Sequence, residues 1–234
     1  MRALLQAVML AGLLVTTAAC SGPAVGPSIT SAVPEPITPA AGAPAVPDEQ
    51  AVPVSLGPAP EDIRSVDWLN TPLPGAFCAV DGLVPFRAGE AMAESTTYGE
   101  VHLIVEDITY GDLDGDGADI TYGDLDGDGR EEAVIGVGCD NNGGTASGQL
   151  GFGAVVVQAH RDLRAIGTIT PQMELADATH VTLLSELRIE PGQVVADEMW
   201  YRDSDMTCCP TGKAVTTWKL ESGRLTAGPP AVTA

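Results

Sequence analysis

Residues 119–130 read DITYGDLDGDGR, and the apolar run AVIGV follows at residues 133–137. The preceding residues, 107–118, read DITYGDLDGDGA and differ only in the last residue. In each copy three aspartates occupy alternate positions and a glycine follows them. They are Asp112, Asp114, Asp116 and Gly117 in the first copy, and Asp124, Asp126, Asp128 and Gly129 in the second. The β-branched and apolar residues around the loops predict a strand, an acidic loop and a second strand.

The spacing of these aspartates is typical of a calcium-binding loop. A chain that curls around an ion directs its first, third and fifth side chains towards it, and Ca²⁺ takes six to eight oxygens at about 2.3–2.6 Å. Glycine at position six allows the sharp turn at little cost. Without an ion, three carboxylates this close would repel one another. The alternative interpretation is a solvated Asp-Gly turn between strands, because both residues are common in turns.

The two copies differ in the residue that could complete a coordination sphere. Neither is an EF-hand, because position twelve holds Gly123 or Ile135 where an EF-hand has a bidentate glutamate. At position nine the second copy offers Glu132, whereas the first has Ile120. We therefore predict a Ca²⁺ site in the second copy and a weaker site in the first. The predicted ligands are Asp124, Asp126, Asp128, Arg130 and Glu132, and for the weaker site Asp112, Asp114 and Asp116.

The identity of the copies indicates a recent in-frame duplication, because coordination alone leaves positions two and four nearly unconstrained. Removing residues 107–118 would join Glu106 to Asp119 and leave the strand, the loop and Glu132 in the same register. Lengthening a surface loop costs little entropy. The first copy is therefore predicted to be dispensable.

The second copy resembles the calcium loops of FG-GAP and VCBS-type repeats, in which Asp-x-Asp-x-Asp-Gly-x-x-acid leads into an apolar strand. Glu132 stands where those loops usually have Asp. Those families stack many repeats into propellers, whose blades need about 40 residues each. The resemblance implies a calcium loop, whereas two copies of this length are too short to be blades.

The amino terminus has the features of an export signal. Arg2 precedes an apolar run from Ala3 to Val15, which is too short for a transmembrane span. Residues 17–20, Thr-Ala-Ala-Cys, resemble a bacterial lipobox. This resemblance implies that residues 1–20 are a lipoprotein signal peptide and that Cys20 is lipidated, which would anchor the protein to the extracytoplasmic face of the cell membrane. The alternative is ordinary signal cleavage that leaves Cys20 as a spare thiol.

The composition of residues 21–234 predicts three segments: a tether, a folded domain and a tail. Residues 21–60 are rich in Pro, Ala, Gly and Ser and are predicted to form a disordered tether. Residues 61–228 suffice for one β-rich domain, and residues 229–234 are predicted to be a flexible tail. The chain has 32 acidic and 11 basic residues, a formal net charge of −21. This charge disfavours nucleic acid and anionic lipid headgroups as partners.

Cysteine usage fits an exported protein. Apart from Cys20, the chain has four cysteines, and an even number in an oxidising compartment predicts two disulfides, for which three connectivities exist. A bridge between adjacent cysteines would be strained, so we favour each of the adjacent pair reaching a different partner. A zinc site is disfavoured because paired Cys-x-x-Cys spacing is missing. The candidates are Cys78, Cys139, Cys208 and Cys209.

Many short apolar runs separated by turn residues predict a mainly β fold. The pattern favours a small antiparallel sheet, a sandwich or a partly open barrel, with a short helix or strand at residues 61–69. Hairpin turns are expected at residues 190–193 and 221–223. The predicted strands are Leu83–Arg87, Val101–Tyr110, Ala133–Val137, Gly153–His160, Ala165–Thr170, Thr179–Ile189, Val194–Trp200, Ala214–Leu220 and Arg224–Leu225.

Several segments together resemble a group of actinobacterial envelope lipoproteins to which no reaction is assigned. These segments are the DIRSVDW opening at residues 62–68, the GDLDGDG loop, the Glu-Ala-Val strand with Cys139 after it, and Cys208-Cys209-Pro210 before a Thr-rich hairpin. The resemblance covers most of residues 61–228 and implies an envelope location without indicating an activity.

Sequence reasoning favours a binding or structural module over an enzyme. Nucleophile elbows, P-loops and dinucleotide fingerprints are missing. His102, His160 and His180 are far apart in sequence and fit structural or surface roles. The leading hypothesis is a calcium-stabilised interaction module of the cell envelope, whose partner is an envelope protein or a glycan. The alternatives are a small-ligand or glycan-binding lipoprotein and an envelope hydrolase built from scattered carboxylates.

Overall fold

Antiparallel β-strands make up 54% of the residues that the structure describes, which confirms the mainly β fold that the sequence predicts. The computed structural model describes residues 53–105, 120–143, 148–175 and 178–234. The strands are β1 Val54–Pro58, β2 Leu73–Pro74, β3 Leu83–Val84, β4 Glu90–Ser95, β5 Gly99–Val105, β6 Ile120–Gly123, β7 Glu132–Asp140, β8 Gln149–Ala159, β9 Asp162–Ile169, β10 Leu183–Glu190, β11 Gln193–Trp200, β12 Gly212–Glu221, β13 Arg224–Ala227 and β14 Ala231–Val232. Three short 3-10 helices lie at Ile63–Ser65, Trp68–Asn70 and Ala76–Cys78.

The largest sheet is curled into a half-barrel around β7 and β8. Its strand order is β1-β9-β8-β7-β5-β4, and β6 also pairs with β7. β7 is buried on both faces, which explains its nearly continuous apolar sequence. Ile135 and Val137 face one core cluster, whereas Val134 faces the other.

The second core cluster joins the large sheet to a sheet of order β10-β11-β12-β13, in which β14 also pairs with β12. Val134 and Val156 come from the large sheet, and Leu187, Ala196 and Trp218 come from the smaller one. All five are buried. The two sheets therefore pack face to face, in the manner of a sandwich.

The opposite face of the large sheet is covered by the chain from the first 3-10 helix to the hairpin of β2 and β3. Phe77 lies directly over β8, where a Cβ added to Gly153 would come within 2.6 Å of the Phe77 ring. Glycine at this position lets the short helix approach the sheet closely. Within the described parts of the chain, none of the helices is long and apolar enough to cross a membrane.

The ordered domain extends beyond its predicted limits at both ends. β1 pairs with β9, with Val54 opposite Ala165, although residues 21–60 are predicted to be a tether. At the other end β14 pairs with β12, and Lys213 N donates to the Ala234 carbonyl at 2.9 Å, although residues 229–234 are predicted to be flexible. Both segments are held by backbone hydrogen bonds, which depend little on side chains, so composition gave no signal for them.

The disulfide pairing differs from the one favoured by sequence. Cys78 bonds to Cys139, and Cys208 bonds to Cys209. The positions of the cysteines in the fold explain this pairing. Cys78 and Cys139 are both buried in the core cluster between the 3-10 helices and β7, with Cα atoms 6.2 Å apart. Cys208 and Cys209 are exposed on the loop between β11 and β12, in the other sheet.

β5 and β6 lie end to end along the same edge of β7. Val105, the last residue of β5, is opposite Val137, and Ile120, the first residue of β6, is opposite Ile135. Only Gly136 separates these two partners on β7. The pairing therefore continues along β7 with a single residue skipped, whatever the length of chain between β5 and β6.

We predict that removing Cys78–Cys139 by a double alanine substitution destabilises the domain strongly. The bridge spans a sequence separation of 61 residues, and a loop of that size is worth about 4 kcal/mol in the chain-entropy description. Urea unfolding of the oxidised protein and the double variant measures the difference. A loss below about 1 kcal/mol would show that the bridge does not constrain the unfolded chain as described.

We also predict that deleting residues 107–118, the first copy, leaves the domain folded. This segment lies outside the described residues. Joining Glu106 to Asp119 would place two residues opposite Gly136, so the result is a one-residue β-bulge and not the unbroken register expected from sequence. We expect a melting temperature within about 4 °C of the wild type, the shift that about 1 kcal/mol produces. A deletion variant without a cooperative thermal transition would show that the first copy belongs to the fold.

Candidate metal centre

The acidic loop connects β6, which ends at Gly123, to β7. Its first carboxylate is held by two backbone donors: Gly127 N donates to Asp124 Oδ1 at 2.7 Å, and Gly129 N donates to Asp124 Oδ2 at 3.0 Å. Both glycines have positive φ, 79° and 85°, a region that glycine enters readily. Position four of the loop, Gly127, is therefore constrained by backbone conformation and is not free, as sequence reasoning assumed.

The other two aspartates of the loop are oriented in the same way. Asp128 N donates to Asp126 Oδ1 at 3.1 Å, and Arg130 N donates to Asp128 Oδ1 at 2.8 Å. Arg130 belongs to the predicted ligand set, and the contact it makes here is this backbone N–H. The loop thus uses its own amide groups to position each carboxylate.

The three carboxylates converge on one point. One oxygen from each of Asp124, Asp126 and Asp128 lies within 4.8 Å of the other two. Oxygens bound at about 2.4 Å on opposite sides of a single Ca²⁺ are about 4.8 Å apart, so the spacing fits a shared ion. The side chains of Asp126 and Asp128 are 24% and 35% exposed, which leaves a path from solvent. The cluster can therefore hold a metal ion, as the sequence predicts.

Glu132 supplies a buried carboxylate beneath the loop. The residue is 1% exposed, and its Oε2 accepts a hydrogen bond from Leu125 N at 2.6 Å. Burial and, less strongly, the charges of Asp126 and Asp128 raise the pKa of Glu132, backbone N–H groups lower it, and the net pKa is about 7. Its carboxylate lies within 4.8 Å of a ligand atom of Asp126. Glu132 is thus placed to share a cation with Asp126, and a cation there would offset the repulsion between the two carboxylates.

Leu125, at position two of the loop, anchors the loop to both sheets. Its side chain is completely buried in the core between the sheets. Its N–H donates to Glu132, and its carbonyl accepts from Gly192 N at 2.8 Å, in the turn between β10 and β11. Position two is therefore fixed by packing, which corrects the expectation that it is nearly free. The identity of the two copies at this position is weaker evidence for a recent duplication than the sequence suggested.

His160 joins the site although sequence reasoning gave it a structural or surface role. Its Nε2 lies 3.6 Å from Asp126 Oδ2, and its Nδ1 lies 3.5 Å from Asp128 Oδ2. Gln158, nearby on β8, donates to the same Asp126 oxygen at 2.9 Å. Ligand atoms of Asp126, Glu132 and His160 form a second group within 4.8 Å. The hairpin of β8 and β9 creates this proximity, so no spacing in the sequence could reveal it.

Glu131 turns away from the loop, although it is adjacent to Glu132 in the sequence. Arg64 binds Glu131 through two hydrogen bonds of 2.6 and 2.8 Å and stacks over the Tyr122 ring at 4.4 Å. Trp68 Nε1 donates to the Tyr122 hydroxyl at 3.0 Å. The hydrogen bond from Arg64 lowers the pKa of Glu131. Neighbouring strand residues point to opposite faces, so only Glu132 reaches the loop.

The remaining candidates of the sequence analysis lie apart from the acidic loop. Asp205 accepts hydrogen bonds from Arg202 N and from the backbone and hydroxyl of Thr211, so it holds the loop between β11 and β12. His102 lies 3.6 Å from Asp140, and His180 packs against Tyr201. The first copy, Asp112, Asp114 and Asp116, and the proposed lipidation residue, Cys20, fall outside the described residues.

No family model, no curated protein and no solved structure matches the chain. The arrangement of the acidic loop is therefore the basis for any statement about function.

We predict that calcium-free protein becomes less stable as pH rises towards neutrality. The pKa of Glu132 is about 7 in the folded protein, above its ordinary value of 4.5. The folded state therefore holds the Glu132 proton more tightly than the unfolded state does. The stabilisation from protonated Glu132 is complete below the unfolded pKa and is lost as pH rises through the folded pKa. Urea unfolding at steps between about pH 4.5 and 7.5 in a chelator measures this loss.

Two variants isolate the contribution of Glu132 to this pH dependence. Glu132→Gln retains an acceptor for Leu125 N but cannot ionise, so its stability should fall less over this range. Glu131→Gln removes the neighbouring exposed carboxylate and should keep the wild-type slope. Equal slopes for the wild type and Glu132→Gln would contradict the assignment of the titration to Glu132.

Proposed function

We propose that this chain is an exported, membrane-anchored lipoprotein whose β-rich domain binds Ca²⁺ in the loop from Asp124 to Glu132. The observation that carries the calcium proposal is the convergence of three aspartate oxygens within 4.8 Å, above a buried glutamate. Backbone amides turn the aspartates inward, which opposes the repulsion among them. A bound divalent cation would compensate the remaining charge.

Calcium is the ion that this donor set supports best. Carboxylate and carbonyl oxygens are hard ligands, which Ca²⁺ takes in flexible geometry, while Mg²⁺ demands a near-ideal octahedron. The loop glycines allow such a flexible arrangement. The imidazole of His160 near Asp126 offers a nitrogen that would suit a transition metal instead. Competition between Ca²⁺ and Zn²⁺ distinguishes these two uses of the site.

The role we propose for the ion is structural. The loop contacts the large sheet through Glu132 and the smaller sheet through the hydrogen bond between Leu125 and Gly192. An ion that holds Asp124, Asp126 and Asp128 together would fix the loop at the point where the sheets meet. Binding to the folded state alone raises its stability by mass action.

The proposed interaction role follows from the classes of partner that the charge and the aromatic residues of the domain disfavour. The acidic surface disfavours nucleic acid and anionic membrane as partners. Tyr122, one of the two aromatic residues of the repeats, hydrogen-bonds Trp68 and lies under Arg64, so it is engaged within the protein. This favours a cell-envelope protein over a glycan as the partner, because glycan binding would use exposed rings.

We predict that Ca²⁺ raises the melting temperature through the second loop. At 100-fold over Kd the stabilisation is about 2.7 kcal/mol, which corresponds to about 5–10 °C for a domain of this size. Thermal unfolding is followed by circular dichroism while Ca²⁺ is titrated to millimolar levels, since extracellular modules can bind weakly. Asp124→Ala and Asp128→Ala should abolish the response. The matched control, Asp81→Ala, removes an exposed aspartate outside the loop and should retain it.

The calcium proposal fails if the wild-type melting temperature does not move up to millimolar Ca²⁺. It also fails if the loop variants respond as strongly as Asp81→Ala. A larger shift with Zn²⁺ than with Ca²⁺, lost in His160→Ala, would instead assign the site to a transition metal.

We predict that Cys20→Ser releases the protein from the membrane fraction. The apolar run that ends in Ala18-Ala19-Cys20 supports lipidation at this cysteine, and two acyl chains would give stable anchoring. Cell fractionation of wild type and variant measures the distribution. A variant that remains with the membrane like the wild type would rule out Cys20 as the anchor.

A further inference from the structure

The two disulfides of the domain lie in different surroundings. Cys78 and Cys139 are 0% and 2% exposed and join two separate elements of the core. Cys208 and Cys209 are adjacent residues, both exposed, on the loop between β11 and β12. Thiol–disulfide exchange requires a thiolate to reach a sulfur atom, so the two bridges differ in access before any other property is considered.

The bridge between Cys208 and Cys209 contributes almost no chain entropy to folding. A disulfide stabilises mainly by closing a loop in the unfolded chain, and the effect grows with the number of residues enclosed. Adjacent residues enclose none, whereas Cys78–Cys139 spans a sequence separation of 61. Stability therefore supplies a reason for the buried bridge but not for the exposed one.

The loop that carries the adjacent pair is fastened without the disulfide. Asp205 Oδ2 accepts from Arg202 N at 2.9 Å and from Thr211 N at 2.8 Å, which ties the two ends of the loop together. The Tyr201 hydroxyl donates to the Thr207 carbonyl at 3.0 Å. None of these contacts uses a sulfur atom, so the loop has fastenings that do not depend on the bridge between the adjacent cysteines.

We propose that Cys208–Cys209 is a thiol–disulfide exchange site that external dithiols reduce reversibly, separate from the structural bridge of the core. A thiolate of the dithiol attacks one sulfur of the pair, the bond between the cysteines breaks, and a mixed disulfide forms. The second thiol of the reductant then displaces the cysteine sulfur. Two electrons and two protons pass to Cys208 and Cys209, and the dithiol becomes a disulfide.

Graded reduction of the native full-length protein by dithiothreitol tests this proposal. After each step, free thiols are alkylated and located by peptide mass spectrometry, which separates Cys20 from the others. We expect half-reduction of Cys208–Cys209 at a dithiothreitol concentration at least about tenfold below that for Cys78–Cys139, because only the latter bridge is protected by burial and loop closure. Oxidised dithiothreitol should restore the bond.

A control variant and the contrary outcomes complete the test. Cys208→Ser combined with Cys209→Ser should show no early thiols and should keep the wild-type melting temperature and calcium response. Reduction of both bridges at the same concentration, or of Cys78–Cys139 first, overturns the proposal. Cooperative unfolding on reduction of Cys208–Cys209 overturns it too, because the pair would then be structural.

Discussion

The hydrogen bond from Leu125 N to the buried carboxylate of Glu132 holds the acidic loop in the core, at an N–O distance of 2.6 Å. The same leucine is fully buried between the sheets and accepts a hydrogen bond from Gly192 in the smaller sheet. A single residue of the loop therefore contacts both sheets. The carboxylates on either side of Leu125 cannot change position independently of the core, which is the condition for a preorganised cation site.

Charge is the physical reason for proposing a cation at this arrangement. Burial disfavours the ionised form of Glu132, and Asp126 and Asp128 add like charge nearby, which together place its pKa at about 7. Some of the repulsion is relieved by loop amides, but each carboxylate keeps further acceptor capacity. A divalent cation at the proposed site would satisfy these acceptors and favour the ionised form. Cation binding, the ionisation of Glu132 and the stability of the domain would then be coupled.

The sequence predicted what depends on local pattern. The acidic loop, its glycine turn, the β-rich fold and most strands follow from spacing and alternation. Contacts that depend on tertiary packing were not predictable, such as His160 beside Asp126 and Arg64 on Glu131. Strand β1 was mispredicted because pairing at a sheet edge leaves little trace in composition. The pairing of Cys208 with Cys209 was mispredicted because the strain of an adjacent pair was given more weight than the distance to the other cysteines.

If a cation binds in the loop, it should stabilise the junction of the two sheets. Amide hydrogen exchange with and without Ca²⁺, read at single residues by NMR, tests it most directly. We expect increased protection at Leu125, which donates to Glu132, and at Gly192, which donates to Leu125 across the junction. Protection confined to Gly127 and Gly129, with Leu125 and Gly192 unchanged, would contradict it, because the ion would then order the loop alone.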